Sequence, residues 1–209
     1  IHTKSLRLPQ MLPDGTLYMS EIVPTVIEWL NGRILVGEGA SQMKYQLKKG
    51  KNIWYSFKME LGEDLGAKYY DSDLREVDPF RIKNPVDAAR VFFAYLKYLI
   101  IKYCTENNIS IDILYAVSIP ASFEANQRKD LLDALMANDM KVSKQALIDE
   151  PNAAFISYAV SRAAEDRPMF ISPDYNSKVL VFAFGGGTCD ISTVSYSHLR
   201  AHETLVAGL

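Results

Sequence analysis

The chain has 209 residues, of which 48% are hydrophobic and 23% charged, and its formal net charge is −2. This is the composition of an ordinary globular protein, and it gives no support for a nucleic-acid or anionic-membrane surface. The two cysteines, Cys104 and Cys189, make no disulfide framework, so a reducing compartment and a cytoplasmic location are expected.

The N-terminal part of the chain predicts β-structure with one tight turn. Residues 16–38 contain short apolar runs, and Asn31-Gly32 lies between two of them. Asn-Gly in this setting is a strong hairpin signal, so strand, turn and strand are expected. Residues 40–83 are mixed and polar and predict a smaller, less regular subdomain. Within it, the lysine-rich run at 46–51 is expected to be a solvated loop.

A long amphipathic helix is predicted next. Asn84 is a typical N-cap and Pro85 suits the first helical position, while Asn107-Asn108 is expected to end the helix. Charged residues within 86–103 argue against a membrane span. Apolar residues at helical spacing predict one buried stripe, formed by Phe92, Leu96, Leu99 and Tyr103.

Strand and helix then alternate, which is typical of an α/β domain. Residues 111–120 are almost continuously apolar and predict a strand that is covered on both faces and stopped by Pro120. A second strand is expected to end at Asp149-Glu150, where Pro151 begins a helix. Between them, Ser122 is predicted to cap a helix whose apolar edge is formed by Leu131, Leu132, Leu135 and Met136.

The stretch KVLVFAFGGGTCDIS (178–192) carries the sharpest chemical signal. Gly185, Gly186 and Gly187 lack Cβ atoms, so successive N–H groups before and at Thr188 can converge on an anion. The stretch is neither a Walker loop nor a dinucleotide turn, because the residues those motifs require are missing. The following residues predict another strand, and hence a hairpin whose tip binds phosphate. A plain glycine-rich hairpin is an equally weighted alternative.

Two carboxylates are candidates for chemistry beside a metal-bound phosphate. Asp190 lies three residues past the last glycine, where a carboxylate can orient a Mg²⁺-bound water or accept its proton; a solvated strand residue is the alternative. Glu150 follows a strand, and ligands collect at the carboxyl ends of strands in α/β sheets; capping the next helix is the alternative. His198 and His202 are four residues apart, but with no third ligand a metal site is not expected.

Three segments together carry a family resemblance. They are LYAVSIPASFEANQR (114–128), LIDEPNAAFISYA (147–159) and VFAFGGGTCDIS (181–192). In this order and separation they resemble the signature segments of the seventy-kilodalton heat-shock (DnaK-like) chaperones. More broadly, they resemble the actin-like ATPase superfamily, which also contains actin and sugar kinases. Residues 23–40 resemble the family more weakly, and most of 41–110 only in outline.

The resemblance implies an α/β chain with the actin-like ATPase (ribonuclease H-like) fold, incomplete here, with most of lobe I and the start of lobe II. ATP or ADP and Mg²⁺ would lie in the cleft between the lobes. Gly185, Gly186, Gly187 and Thr188 would form the second phosphate loop. Asp190 and Glu150 would act near Mg²⁺ through water, without direct metal ligation.

The resemblance also implies partners and a relay. Pro120 and Arg128 match positions that pass nucleotide state to a peptide-binding domain; a strand stop and a helix-surface charge are the structural alternatives. In the parent protein, unfolded peptide clients and co-chaperones are the expected partners, with no nucleic acid and no membrane.

By the same resemblance, residues 1–40 are the N-terminal strands of lobe I and 41–107 a peripheral subdomain that ends in the long helix. Residues 108–177 are the lobe I core, and 178–193 are the first hairpin of lobe II. Residues 194–209 depart from the family and resemble translated sequencing-adapter read-through, so a non-native tail is expected there.

Other departures bear on catalysis. The family's first phosphate loop is expected upstream of Ile1, and position 183, where the family has aspartate, is Ala183. The family's catalytic lysine has three candidates, Lys58, Lys68 and Lys83.

Three hypotheses follow from the resemblance and its departures. The first is a fragment of a slow chaperone ATPase that is inactive and binds Mg-ATP weakly by itself. The second is a pseudo-ATPase, a nucleotide switch or scaffold weakened by Ala183. The third is another superfamily member, either a filament protein or a small-molecule kinase.

Overall fold

The computed structural model of the chain describes residues 4–65, 81–164, 177–184 and 189–196. Two units divide the chain: residues 1–115 with 124–142, and residues 116–123 with 143–209. The predicted glycine turn, Lys68, His198 and His202 lie outside the described residues. The lobe boundaries and the non-native tail therefore stay predictions.

The first unit begins with an antiparallel hairpin of β1 (Leu8–Met11) and β2 (Leu17–Ser20). Asp14 shapes its turn, because its carboxylate accepts hydrogen bonds from the backbone N–H of Thr16 at 2.9 Å and from the Thr16 hydroxyl at 2.7 Å. The backbone bond, followed by the hydroxyl bond, lowers the pKa of Asp14, since both favour the charged form.

A three-stranded antiparallel sheet follows, in the order β4 (Arg33–Val36), β3 (Val26–Leu30) and β5 (Ile53–Tyr55). The hairpin predicted at Asn31-Gly32 is confirmed. The two turn residues have φ of 53° and 75°, as a tight two-residue hairpin requires, and Leu30 pairs with Arg33 on either side of them.

A buried glutamine fixes α1 (Glu38–Gln42) to the first hairpin. Gln10 is fully buried; its Oε1 accepts the N–H of Glu38 at 2.8 Å, and its Nε2 donates to the carbonyl of Ile22 at 2.9 Å. The backbones approach closely here, since a Cβ added to Gly39 would lie 2.1 Å from the carbonyl oxygen of Met11. A core beside this contact comprises Val26, Leu35, Ala40 and Ile53.

The predicted long helix is α3 (Pro85–Glu106), which follows the short α2 (Phe57–Glu60). The Oδ1 of Asn84 accepts the N–H of Asp87 at 2.8 Å, so the predicted N-cap is confirmed, and Asn107 caps the other end. In the predicted stripe, Phe92 and Leu99 are buried, whereas Leu96 and Tyr103 are half-buried.

The prediction that Ser122 caps the next helix is wrong. The helix, α4 (Ala125–Met136), has Glu124 as its N-cap, and the side chain of Gln127 accepts the N–H of Glu124 at 2.9 Å. This reciprocal capping box satisfies donors of the first turn and places the start after Ser122. Of the predicted apolar edge, Leu131 and Leu135 are buried and Leu132 is half-buried, while Met136 is 64% exposed.

The loop after α2 is attached to α4 through a single glycine. The N–H of Gly62 donates to Oδ2 of Asp130 at 2.8 Å, and its carbonyl accepts from Nδ2 of Asn126 at 3.0 Å. Gly62 has φ of 79°, so both of its backbone polar groups face α4 from a conformation that favours glycine.

In the second unit, β6 (Tyr115–Ile119) pairs with β7 (Val142–Asp149). The strand is shorter than predicted and is not covered on both faces: Ala116 and Ser118 are exposed, while Val117 is half-buried and Ile119 buried. The physical reason lies in the sequence YAVSI, where small residues alternate with larger apolar ones, which is the pattern of a strand buried on one side.

The remaining elements are α5 (Glu150–Ala164), β8 (Ser177–Phe184) and β9 (Cys189–Tyr196). The strand end at Asp149 and the helix start around Pro151 agree with the prediction. Among the described helices, none combines the length and apolar character needed to span a membrane.

Candidate functional site

The candidate site is built on the hairpin of β8 and β9. The two strands are antiparallel, and their last pair is Phe184 with Cys189. The two predicted strands are therefore confirmed on either side of residues 185–188, and the turn stays a prediction. Four residues, 185–188, join the two strands in the sequence, and they lie outside the described residues.

Ala183 and Asp190 are directly opposite each other, one pair before the strands end. Opposed residues of an antiparallel pair have Cβ atoms about 4.5–5.5 Å apart and belong to the same face. Position 183, where the resembling family has aspartate, is thus the cross-strand partner of Asp190 in the register.

The two faces of this hairpin differ in exposure. The helix α5 packs against β8 and β9, and Val179, Val181 and Val194 are half-buried. On the other face, Leu180 and Phe182 are each 55% exposed and Ile191 is 60% exposed. Burial alternates along both strands, as expected of a sheet that is covered on one side.

Glu150 is the first residue of α5, directly after the last residue of β7, Asp149, and both are half-buried. A carboxylate in the first turn of a helix interacts favourably with the positive end of the helix dipole. Both interpretations of Glu150, as a cap of the helix and as a residue near Mg²⁺, stay predictions.

Pro120 and Arg128 belong to different units. Pro120 follows the last residue of β6, is fully buried, and its carbonyl accepts the N–H of Phe123 at 3.1 Å, so its role as a strand stop is confirmed. Arg128 is half-buried in the first turn of α4, where its N–H donates to the carbonyl of Glu124 at 3.0 Å. The relay role of the two residues stays a prediction.

Two of the three candidate lysines are described. Lys58 is half-buried in α2, next to the buried Phe57. Lys83 is exposed, and its backbone N–H donates to Oδ2 of Asp87 at 3.0 Å. The contrast in burial favours Lys58 as the more fixed of these two ammonium groups, because neighbouring atoms restrict a half-buried side chain more than an exposed one.

Within the described residues, no three or more His, Cys, Asp and Glu side chains gather closely enough to hold a metal ion. Mg²⁺ commonly keeps several waters and binds through one or two carboxylates together with substrate phosphates. Asp190 and Glu150 carry the carboxylate oxygens that such a mode of binding uses.

Sequence reasoning missed a buried acid. Glu28 in β3 is 4% exposed, lies opposite Leu35 and Ile53, and its Oε2 has no hydrogen-bond partner in the described part of the chain. Burial raises the pKa of Glu28, and the charge of Arg33 opposes this shift. The available signal was the alternation in VIEWL, which puts Glu28 on the same face as Val26.

The lysine-rich run is also more than a solvated loop. Lys49 forms an ion pair with Glu60, and its Nζ lies 4.9 Å from the centre of the Tyr55 ring. Lys44 Nζ lies 4.4 Å from the same ring. The ion pair and the cation–π contact of Lys49 attach this run to α2 and β5, and Lys44, just before the run, adds a second cation at the same ring.

The model of the family described as Hsp70 protein matches residues 18–199. The match covers most of the chain, so this chain belongs to the Hsp70 family. The family has the actin-like ATPase fold, and the mixed helices and small sheets of this chain are consistent with it. Membership supports the chaperone hypothesis over a filament protein or a small-molecule kinase.

Three individual relatives support membership of this family. The chain is 30% identical to a Chaperone protein HscA homolog of Polynucleobacter necessarius over 96% of this chain and 31% of the relative. It is 28% identical to the Heat shock cognate HSP70 protein of Trypanosoma brucei brucei over 83% of this chain and 26% of the relative. It is also 28% identical to the Chaperone protein DnaK of Thermotoga maritima over 87% of this chain and 27% of the relative. The chain thus spans less than a third of the length of these relatives.

Proposed function

We propose that this chain is part of the nucleotide-binding domain of a chaperone that binds and slowly hydrolyses ATP to control a peptide-binding domain. The observation that supports the proposal is the antiparallel pair of β8 and β9, whose strands are separated in the sequence by Gly185, Gly186, Gly187 and Thr188, with Asp190 in β9. Membership of the Hsp70 family supports the same function.

In this proposal, the backbone N–H groups of the glycine turn donate to phosphate oxygens of ATP or ADP. Glycine suits this task because an absent Cβ lets the main chain approach the anion. The Thr188 hydroxyl offers a further donor beside them. Phosphoryl transfer depends mostly on positioning and electrostatic stabilisation, which backbone donors next to a strand pair can supply.

Asp190 would orient the attacking water and accept its proton, and Glu150 would hold water near the metal. When bound, Mg²⁺ would neutralise charge on the phosphates. Pro120 and Arg128 would transmit nucleotide state to the peptide-binding domain. Peptide clients and co-chaperones are the proposed partners, and the cytoplasm is the proposed location, which the cysteine composition supports.

The test uses the full-length gene product and measures Mg-ATP hydrolysis together with release of a fluorescent unfolded peptide. Asp190→Asn is expected to lower the hydrolysis rate by roughly 10²–10³-fold, the typical cost of losing one preorganised catalytic group. Asp133→Asn, an exposed change on α4, is the matched control and should leave the rate unchanged. A full-length protein that binds no Mg-ATP would overturn the proposal.

Ala183 favours a second candidate, a pseudo-ATPase that binds nucleotide without efficient turnover. The hairpin puts Ala183 opposite Asp190, so the second carboxylate of the family is missing from that pair. If this candidate is right, the full-length protein binds ATP, hydrolyses it only at a residual rate, and gains activity with Ala183→Asp. If Ala183→Asp changes neither the rate nor its dependence on Mg²⁺, position 183 does not limit the chemistry.

A further inference from the structure

We propose that Asn31 is a site of spontaneous deamidation, in which Asn31 and Gly32 react through a cyclic imide to leave aspartate or isoaspartate at position 31. The site is the two-residue tip between β3 and β4. It is a chemical modification site, independent of nucleotide binding, and its chemistry needs only water.

The reaction balances within the two residues. The backbone nitrogen of Gly32, on losing its proton, attacks Cγ of Asn31; a bond forms between these atoms, and the bond from Cγ to Nδ2 breaks. Nδ2 leaves with that proton as ammonia, and a five-membered imide remains. Water then opens the ring at either carbonyl, which gives aspartate or the isomer whose main chain runs through Cγ. No oxidant or other reactant is consumed.

Both reacting groups are accessible. Asn31 and Gly32 are exposed, and neither the Asn31 side chain nor the Gly32 nitrogen is hydrogen-bonded within the described part of the chain. Around the Cα of Gly32 the space is open, since a Cβ built there would meet no atom within 4 Å. Attack requires rotation about the Asn31 backbone, and both turn residues are exposed to solvent.

The products would alter the sheet beside them. Either product adds one negative charge to a chain of formal net charge −2. Isoaspartate also inserts a methylene into the main chain of a turn that joins Leu30 to Arg33 through only two residues. Arg33 donates to the carbonyls of Leu12 and Pro13 at 2.8 and 3.3 Å, so a shifted turn would also disturb the end of the first hairpin.

Asn108 provides a matched control in the same molecule. It is exposed and has φ of 54°, against 53° for Asn31, but Ile109 follows it. The β-branched side chain of Ile109 crowds its own nitrogen, whereas Gly32 has no side chain. The two asparagines therefore share φ and exposure. They differ in the residue that follows, and in the nitrogen of that residue, because the N–H of Ile109 donates to the carbonyl of Cys104 at 2.8 Å.

The experiment incubates the purified chain at mildly alkaline pH and body temperature. Peptide mapping follows the gain of one mass unit, and enzymatic methylation detects isoaspartate. Position 31 is expected to convert at least severalfold faster than position 108, and Asn31→Asp should abolish the mass gain from that peptide. Gly32→Ala should slow the reaction. Conversion at position 31 that is no faster than at position 108, in a chain that stays folded by circular dichroism, would overturn the proposal.

Discussion

Ala183 and Asp190 are cross-strand partners in the β8–β9 hairpin, one pair before its strands end. This pairing predicts how an aspartate introduced at position 183 changes the stability of the hairpin. Ala183→Asp would place two like charges directly opposite each other and lower the stability of the hairpin by about 0.2–1 kcal/mol at neutral pH. The loss should shrink when acid protonates the pair, or when Mg²⁺ binds between the carboxylates.

Hydrogen exchange at the amides of β8 and β9, with and without Mg²⁺, measures this effect. Ala183→Asn is the matched control, because the amide has nearly the same shape without the charge. Equal protection in the two variants, unaffected by Mg²⁺, would mean that the carboxylates do not interact.

The burial of Glu28 predicts that the stability of the folded chain depends on pH. Its carboxylate is buried with one oxygen unsatisfied, and burial raises its pKa above the ordinary value of 4.5. The folded chain therefore binds this proton more tightly than the unfolded chain. Stability from the neutral form is complete below the unfolded pKa and is lost as the pH rises through the folded pKa.

Glu28→Leu should raise the free energy of unfolding at neutral pH by about 1–3 kcal/mol, the usual cost of an unsatisfied buried polar group. Urea unfolding across acidic and neutral pH is the measurement, and the gain should fade toward acid. Glu21→Leu, at an exposed acid, should show no such trend. A gain that is the same at every pH would argue against a titrating Glu28.

The close packing at Gly39 predicts that its substitution by alanine lowers stability, although alanine is the better helix former. Alanine is the better helix former, so Gly39→Ala in α1 should be stabilising on helix propensity alone. A Cβ at this position would, however, lie 2.1 Å from the carbonyl oxygen of Met11, and backbone cannot move aside easily. A loss of about 1–3 kcal/mol is expected, as for overpacking.

Urea unfolding of Gly39→Ala tests this, with Gln42→Ala at an exposed position of the same helix as control. Gln42→Ala should change stability little. A stabilised Gly39→Ala would show that β1 and α1 are not in close contact.

Two aspartates on α4 predict unequal effects. Asp130 accepts the N–H of Gly62 from another segment, whereas Asp133 pairs with Lys129 one turn away on an exposed surface. A charged hydrogen bond typically contributes about 1.5–3 kcal/mol, against about 0.3–0.5 kcal/mol for an exposed helix ion pair. Asp130→Ala should therefore cost clearly more than Asp133→Ala in thermal or urea unfolding. Similar losses would mean that the contact with Gly62 contributes little.

Much of the local structure was predictable because it depends on neighbours in the sequence. Asn31-Gly32 defines its turn, Asn84-Pro85 starts α3, and the apolar runs around Gly185 define two strands. Each signal acts over a few residues, so a single sequence contains it. The cap of α4 was missed because Ser122 is a frequent N-cap residue, while the pair that won, Glu124 with Gln127, relies on reciprocal side-chain bonds.

The features that were not predictable depend on distant contacts. The alternation in VIEWL puts Glu28 on the same face as Val26, but the sequence does not tell which elements will cover that face. The burial of Gln10 depends on a helix 28 residues away. At the candidate site, the two strands of the β8–β9 hairpin were predictable from the sequence. The roles of Asp190 and Glu150 came from resemblance and stay predictions, because they depend on where a nucleotide lies.

The two hydrogen bonds of Gln10 have a consequence for how the first unit opens. One amide side chain holds the carbonyl of Ile22 and the N–H of Glu38 at once, so neither segment can detach without exposing a buried polar group. The first hairpin, the chain around Ile22 and α1 should therefore unfold as one cooperative group, and their slowest amides should exchange with deuterium at a common rate.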